Sequence, residues 1–271
     1  MARTSVDGVD LYYEIDGRGP PLLLIAGLGA NSSAWTTVKP HLIDRFTCIA
    51  FDNRGTGRSD VPPGPYTIEQ IADDAAGLIR NLGLAPVAAV GWSLGGSVLQ
   101  GLLIRHGDLV SRAVLLSAFP SYTEVQHGWL DSLLALRRSD APAAAQVMYG
   151  MAWGYTPKIL SDHPALAAAA QAAVAAPNPT SVAGFEAQAH GLRRYDSRPL
   201  LATVRTPTLV LVGAEDVLTP VDQSIEMAAL IPGARLQVLP RGGHGMALEY
   251  PAEVAAAIIA YLTAPLAASG A

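Results

Sequence analysis

A short run around Ser93 has the residue types and spacing that nucleophilic catalysis needs. Ser93 lies in Val-Gly-Trp-Ser-Leu-Gly-Gly, between an apolar run typical of a strand and a run typical of a helix. Gly91 and Gly95 flank it in a G-x-S-x-G pattern. This pattern predicts a sharp strand-to-helix turn that exposes the serine hydroxyl, because a larger residue at either glycine would clash with neighbouring elements. The alternative is a glycine-rich turn in which the serine only caps the helix.

A serine nucleophile needs a base, and the base needs an acid that orients it. Asp216 follows an apolar run and a short loop, and His244 follows the run Arg235–Leu239. Both residues, like Ser93, are therefore expected at the carboxyl ends of parallel strands, the edge where α/β sheets place their sites. Glu215 adjoins Asp216 and is the alternative acid.

The sequence offers other histidines for the role of base, but His244 has the most suitable setting. Glycines on both sides of His244 are expected to leave its ring room to approach Ser93. The others end helical runs or fall in a segment without strand-like runs, where surface and capping roles are typical: His41, His106, His127, His163 and His190.

The order of strand-like and helix-like runs predicts how these residues meet. Residues 5–6 and 10–15 flank Asp7-Gly8, which is a typical hairpin turn. Short apolar runs then follow at Leu22–Ala26, Phe46–Phe51, Val87–Val90, Ala113–Leu116, Thr208–Val212 and Arg235–Leu239. Helix-like runs lie at Ser33–Ile43, Ile68–Leu82, Leu94–His106, Ser224–Leu230 and Ala252–Leu262. Continuous apolar runs indicate parallel strands buried on both faces, and the alternation predicts a doubly wound, mostly parallel sheet.

One segment interrupts this alternation. From about Ser121 to about Leu200 only helical patterns occur, and several prolines separate them. We therefore predict an α/β core formed by residues 1–120 and 201–271. Residues 121–200 are expected to form a helical insertion of about four helices that sits on the sheet.

Composition and charge exclude several classes of protein. Half of the 271 residues are apolar, the formal net charge is -5 and the pI is near 5.6, so nothing favours binding to nucleic acid or to an anionic membrane. The one cysteine, Cys48, excludes an internal disulfide and a multi-cysteine metal site. The N-terminus has no apolar signal core, and no apolar run reaches membrane-spanning length. We expect a cytoplasmic monomer or homodimer that acts on a small molecule.

Two glycine-containing turns also suggest nucleotide binding. Gly27 and Gly29 follow a strand-like run, and Asp52 ends the next run where a ribose-binding acid would fall. Ser32 occupies the third glycine position, however, and a dehydrogenase would not explain the serine, aspartate and histidine at three later strand ends. The stretch Asp52–Ser59 lacks the lysine of a P-loop and is expected to be structural.

Together these segments resemble the α/β-hydrolase family over nearly the whole chain. The matching segments are the N-terminal hairpin, Gly27-Leu28-Gly29, Asp52–Ser59, Gly91–Gly96, Gly213–Pro220 and Gly242–Gly245. The order Ser93, Asp216, His244 matches the family's nucleophile, acid and base, and the insertion falls where the family carries its cap. Within the family, the short N-terminus and helical cap resemble those of cofactor-free esterases and lactonases, such as enol-lactonases of aromatic degradation and pimeloyl-carrier-protein methyl ester esterases.

The resemblance implies an α/β-hydrolase fold, a Ser-His-Asp triad and no metal or organic cofactor. It also implies an oxyanion hole made by the backbone N–H groups of Leu28 and Leu94, which are fixed donors of the kind that contributes most to catalysis. Many relatives have His-Gly where this chain has Ala26-Gly27. The backbone donor survives this change, but a side-chain hydrogen bond that helps to hold the loop is lost.

From these expectations we predict a serine hydrolase that cleaves a small, largely apolar carboxylic ester or lactone. We expect four large side chains to line its substrate pocket, namely Trp92, Trp129, Met151 and Trp153. For Trp92, a packing role in the core is an equal alternative. The same triad would serve a carbon–carbon bond hydrolase or a cofactor-free haloperoxidase, and the fold would also serve a non-catalytic ligand receptor.

Overall fold

The structure is a computed structural model that describes residues 2–265, and in this range eight strands form one sheet. The strands are Ala2–Val6 (β1), Val9–Gly17 (β2), Pro21–Ile25 (β3), Thr47–Phe51 (β4), Val87–Trp92 (β5), Val110–Leu116 (β6), Thr208–Gly213 (β7) and Arg235–Leu239 (β8). Their order is β1-β2-β4-β3-β5-β6-β7-β8. Strands β1 and β2 pair antiparallel and β2 pairs antiparallel with β4, whereas all pairs from β4 to β8 are parallel.

Helices connect the strands and cover both faces of the sheet. The α-helices are Ile68–Asn81 (α1), Leu94–His106 (α2), Glu124–Arg138 (α3), Ala143–Gly154 (α4), Pro157–Leu160 (α5), His163–Val174 (α6), Val182–Arg194 (α7), Arg198–Leu201 (α8), Val221–Leu230 (α9), Met246–Glu249 (α10) and Pro251–Thr263 (α11). One apolar cluster joins the sheet to α1 and α2, and a second joins it to α11 and to Trp35. The predicted doubly wound, mostly parallel sheet is thus confirmed.

The N-terminal hairpin has the predicted tight turn. Asp7 and Gly8 have φ of 46° and 80°, as a two-residue turn between twisted antiparallel strands requires. The buried carboxylate of Asp52 then fastens two loops, since its Oδ1 accepts from the Ser32 N–H at 2.7 Å and its Oδ2 from the Arg58 N–H at 2.8 Å. This arrangement agrees with a structural role for Asp52–Ser59.

Two local expectations from the sequence are wrong. The run Ser33–Ile43 is not an α-helix but holds two short 3₁₀ helices, Ser32–Trp35 and Lys39–His41. The β-branched residues 36–38 and Pro40 disfavour α-helical backbone there. Strand β8 is not buried on both faces, since Leu239 is its one buried residue. The reason is that β8 is an edge strand of the sheet.

The chain between β6 and β7, here named the insertion, is mostly helical. Six helices, α3 to α8, lie there in the described chain, and four of them have at least 12 residues. An isolated bridge between Ser121 and Asp196 closes the base of this segment. That residues 121–200 form a separate domain stays a prediction. Within residues 2–265, no helix combines the length and the apolar character needed to cross a membrane.

Candidate active site

Ser93 sits on a strained turn between β5 and α2, as the glycine pattern predicts. Its φ of 56° and ψ of -119° are unusual for a residue with a side chain. A Cβ on Gly91 would collide with the Gly95 carbonyl oxygen, and a Cβ on Gly95 would collide with that of Ile25 in β3. Both glycines are therefore needed for the turn to fit against the sheet.

The structure brings His244 against Ser93. Its Nε2 lies 2.9 Å from the Ser93 Oγ, within hydrogen-bond distance, and the side chain is largely buried. Its backbone carbonyl accepts a hydrogen bond of 3.0 Å from the indole N–H of Trp92, which fixes the loop from the side of the core. His244 is thus placed to take a proton from the serine hydroxyl.

Asp216 holds the other side of the His244 ring. Its Oδ2 lies 3.1 Å from the His244 Nδ1, and its Oδ1 accepts from the backbone N–H groups of Leu218 and Thr219 at 3.1 and 2.8 Å. Burial alone would raise the pKa of Asp216, but the charge and hydrogen bond of His244 and the donors of Thr219 outweigh it, so the pKa lies below its ordinary value. The carboxylate therefore stays ionised at neutral pH.

The alternative acid, Glu215, has no contact with the His244 ring among the described residues. Its side chain is exposed, and its Oε1 accepts from the Gly242 N–H at 3.3 Å. The geometry favours Asp216 as the residue that orients the imidazole.

Sequence reasoning assigned no role to Thr219, which the structure places in the same network. The buried Thr219 hydroxyl donates to the Asp216 Oδ2 at 2.8 Å and lies 3.1 Å from the His244 Nδ1. The available signal was a threonine three residues after an aspartate, a spacing at which local side-chain and backbone bonds often form. That signal cannot show that the hydroxyl reaches the histidine.

The expected oxyanion donors lie beside the serine. Leu94 is the first residue of α2, so its N–H has no partner within that helix. A Cβ on Gly27 would lie 3.4 Å from the Ser93 Cβ, so the Gly27-Leu28 peptide is close to the nucleophile. None of the described residues accepts a hydrogen bond from the Leu28 N–H. Neither N–H group thus has an acceptor among the described residues, as an oxyanion donor requires.

The glycines beside His244 lie against the insertion. A Cβ on Gly243 would lie 2.6 Å from the Gly154 carbonyl oxygen, and one on Gly245 would lie 3.0 Å from the Tyr155 ring. The Gly245 N–H also donates to the Gly154 carbonyl at 2.7 Å. These glycines therefore let the insertion approach the His244 loop, which is a role that the sequence did not suggest. The expectation that they leave the ring room to reach Ser93 stays a prediction.

The four expected pocket residues have different surroundings. Trp92 packs in the core with its ring 6.1 Å from that of Trp35, so of its two roles the structure favours packing. Met151 is buried with Leu166 between helices of the insertion, and that packing accounts for its burial. Trp129 and Trp153 are half-buried. Trp129 packs against an apolar cluster around Leu130 and Phe185, and Leu28 packs against the same cluster.

Two of the competing histidines, His106 and His41, have surroundings typical of surface residues. The Nε2 of His106 lies 2.7 Å from Asp73, and its Nδ1 faces Arg80 at 3.3 Å, in an ion cluster on α1 and α2. His41 is exposed in a 3₁₀ helix. Neither has a described contact with Ser93.

Comparisons with known proteins agree with this architecture. A family model described as alpha/beta hydrolase fold matches residues 20–251. A putative carbamate hydrolase RutD from Caulobacter sp. (strain K31) is 30% identical, over 97% of this chain and 98% of the relative. The enol-lactonase from Burkholderia xenovorans LB400 superposes with a TM-score of 0.86 at 27% identity, over 97% of this chain and 100% of that one. The putative non-heme bromoperoxidase BpoC from Mycobacterium tuberculosis H37Rv gives 0.86 at 26% identity, over 93% and 95%.

Proposed function

Because this chain belongs to the α/β-hydrolase family, we propose that it is a serine hydrolase that cleaves a carboxylic ester or lactone of a small, largely apolar substrate. The observation that carries the proposal is the continuous chain of contacts from Ser93 through His244 to Asp216, at 2.9 and 3.1 Å. A nucleophile, a base and an orienting acid are the three parts that acyl transfer requires.

In the proposed mechanism, Ser93 attacks the substrate carbonyl while the His244 Nε2 removes the proton from its Oγ. The N–H groups of Leu28 and Leu94 bind the oxyanion of the tetrahedral intermediate. Asp216 stabilises the imidazolium, and its lowered pKa keeps it ionised for that purpose. His244 then protonates the leaving alcohol and activates water, which hydrolyses the acyl-enzyme and restores the serine.

We propose that residues 121–200 act as a cap that shapes the substrate pocket. The half-buried Trp129 and Trp153 on α3 and α4 support an apolar pocket. Burying a substrate methylene contributes roughly 0.8 kcal/mol, so longer acyl groups would bind better than acetyl. The relative named as an enol-lactonase supports a lactone, and the one named as a carbamate hydrolase makes alkyl carbamates a second substrate class with the same carbonyl attack.

A substrate screen tests this proposal. We expect kcat/KM to rise several-fold from acetyl to butyryl or hexanoyl p-nitrophenyl esters, with turnover also of small lactones. A fluorophosphonate should label the wild type, and Ser93→Ala should abolish both labelling and turnover without unfolding the protein.

Three outcomes would contradict the ester or lactone assignment. Wild-type activity in Ser93→Ala would exclude the serine mechanism. A single burst without turnover on every ester would indicate a ligand receptor. Bromide oxidation with peroxide, in the absence of ester or lactone turnover, would indicate the chemistry for which the bromoperoxidase relative is named.

A further inference from the structure

The insertion binds both backbone groups of Gly29, the residue after the proposed oxyanion donor Leu28. The Gly29 N–H donates to the Gln188 Oε1 at 3.0 Å, and the Thr180 hydroxyl donates to the Gly29 carbonyl at 2.8 Å. Gln188 lies on α7 and is completely buried. The peptide units on both sides of Gly29, the first of which begins at Leu28, are therefore held by side chains of the insertion.

Gln188 has a defined orientation because each end of its amide has one kind of partner. Its Nε2 donates to the Arg54 carbonyl at 2.8 Å, while its Oε1 accepts from Gly29. A backbone N–H can only donate and a carbonyl can only accept, so a flipped amide would lose both bonds. Arg54 is itself held by a bidentate ion pair with the buried Asp74, at 2.5 and 2.6 Å. Gln188 thus connects the Gly29 turn to a rigid part of the core.

Phe185, one turn before Gln188 on α7, restricts the same residue from above. A Cβ on Gly29 would lie 2.6 Å from the Phe185 ring. Gly29 also has a φ of 66°, in the left-handed region that favours glycine. The turn is therefore shaped to fit beneath the insertion.

We propose that Gln188 is a positioning residue that holds the Leu28 N–H where the oxyanion forms. This inference rests on the proposed function. Oxyanion donors act through fixed placement, and a shift of about 1 Å weakens catalysis strongly. The insertion thus completes the oxyanion hole in addition to shaping the pocket.

The test compares Gln188→Met with Gln100→Met. Both glutamines are fully buried and make two or more hydrogen bonds, but Gln100 bonds to Phe119 and Ser197 and has no described contact with Gly29. Thr180→Val, which removes only the donor to the Gly29 carbonyl, serves if Gln188→Met does not fold. Each protein is assayed with p-nitrophenyl butyrate and its thiono analogue, whose sulfur accepts hydrogen bonds weakly.

In Gln188→Met we expect kcat for the oxygen ester to fall about tenfold or more with little change in KM. The preference for the oxygen ester over the thionoester should fall by a similar factor, because only the oxygen ester depends on strong oxyanion donors. Thr180→Val should show a smaller effect in the same direction, and Gln100→Met should keep the wild-type preference. A lower kcat with an unchanged preference would overturn the inference.

Amide hydrogen exchange without substrate tests the contact independently of activity. The Gly29 amide should exchange at least about tenfold faster in Gln188→Met than in the wild type, with no such change in Gln100→Met. Equal protection of Gly29 in all three proteins would overturn the inference. Absence of both ester and lactone turnover in the wild type would instead refute the proposed function, and the exchange result would still decide whether Gln188 holds the turn.

Discussion

The turn that carries Ser93 and the loops around it are held by different parts of the molecule. The Ser93 turn is fixed by close backbone packing within the core, where Gly95 fits against Ile25. The insertion instead contacts three other loops: the Gly29 turn through Gln188, the Asp216 loop through a bond of 2.9 Å from Gln126 to the Leu218 carbonyl, and the His244 loop through Gly154. Ser93 is therefore positioned by the sheet, and the loops around it are positioned jointly by the sheet and the insertion.

This difference supports a role for the insertion in positioning the proposed catalytic groups, beside its proposed role in substrate selection. Thr156 strengthens the contact at the His244 loop, since its hydroxyl donates to the Glu249 carboxylate at 2.6 Å and that carboxylate also accepts from the Gly243 N–H. Substitutions in the core and at the insertion contacts should therefore have different consequences. Core changes should affect folding first, and contact changes should affect catalysis first.

The largest effect is expected where both regions meet, at Asp216. Asp216→Asn should lower kcat about 10⁴-fold, because an amide cannot hold the imidazole in the required tautomer or stabilise its charge. Glu215→Gln changes the adjacent exposed carboxylate and should leave kcat within about twofold. Steady-state kinetics on one ester would check both variants, and the reverse pattern would reassign the acid to Glu215.

Features that depend on the sheet could be predicted from the sequence, whereas contacts made by the insertion could not. Ser93, Asp216 and His244 could be predicted because each follows a strand-like run, and parallel strands bring their carboxyl ends to one edge. Gln188 could not be predicted, since it lies 159 residues from Gly29 and only the docked helix α7 brings them together. The contact of the glycines beside His244 with the insertion could not be predicted, because their neighbours come from the distant segment at Gly154.

Strand β8 and the Ser33–Ile43 region show the same limit for the fold. The apolar run of β8 identified a strand correctly, but its place at the edge depends on the strand order and not on local composition. In Ser33–Ile43, apolar spacing suggested a helix although the β-branched residues and Pro40 disfavoured it. Element type was thus easier to predict than the environment of the element.

A pair of glycine substitutions tests the comparison directly. Gly95→Ala should destabilise the protein by about 3 kcal/mol or more, because its Cβ meets backbone carbonyls that cannot move. Gly245→Ala should cost only about 1 kcal/mol, since its Cβ meets the Tyr155 ring at 3.0 Å and the insertion can shift. Urea unfolding would measure both variants.

The kinetic results of the same pair should separate the two regions. Gly245→Ala should lower kcat even where the variant is still fully folded, because the His244 loop moves with the insertion. A Gly245→Ala protein with wild-type kcat, or a Gly95→Ala protein with wild-type stability, would show that the two regions are not held as described.

The smallest expected effect concerns the charge of Asp216 and its dependence on pH. Thr219→Val removes the hydroxyl donor to the Asp216 Oδ2 while keeping the side-chain shape. Because the folded protein holds the pKa of Asp216 below its ordinary value, the ionised carboxylate stabilises the fold above that ordinary value, and this contribution is lost as the pH falls through the folded pKa. Thr219→Val should therefore cost about 1 kcal/mol at pH 7 and distinctly less at an acid pH below the folded pKa of Asp216.

Thr208→Val provides the matched control for this measurement. Thr208 is equally buried, and its hydroxyl donates at 2.8 Å to the Thr206 carbonyl, which does not titrate. Its substitution should cost a similar free energy of unfolding at both pH values. If the two variants respond to pH in parallel, the Thr219 hydroxyl does not support the charge of Asp216, and the Asp216 loop depends on the Gln126 contact and its backbone donors. If only Thr219→Val loses its effect at low pH, the Asp216 loop is held partly by its own charge network. Its support is then intermediate between that of the Ser93 turn, which the core holds, and that of the Gly29 turn, which the insertion holds.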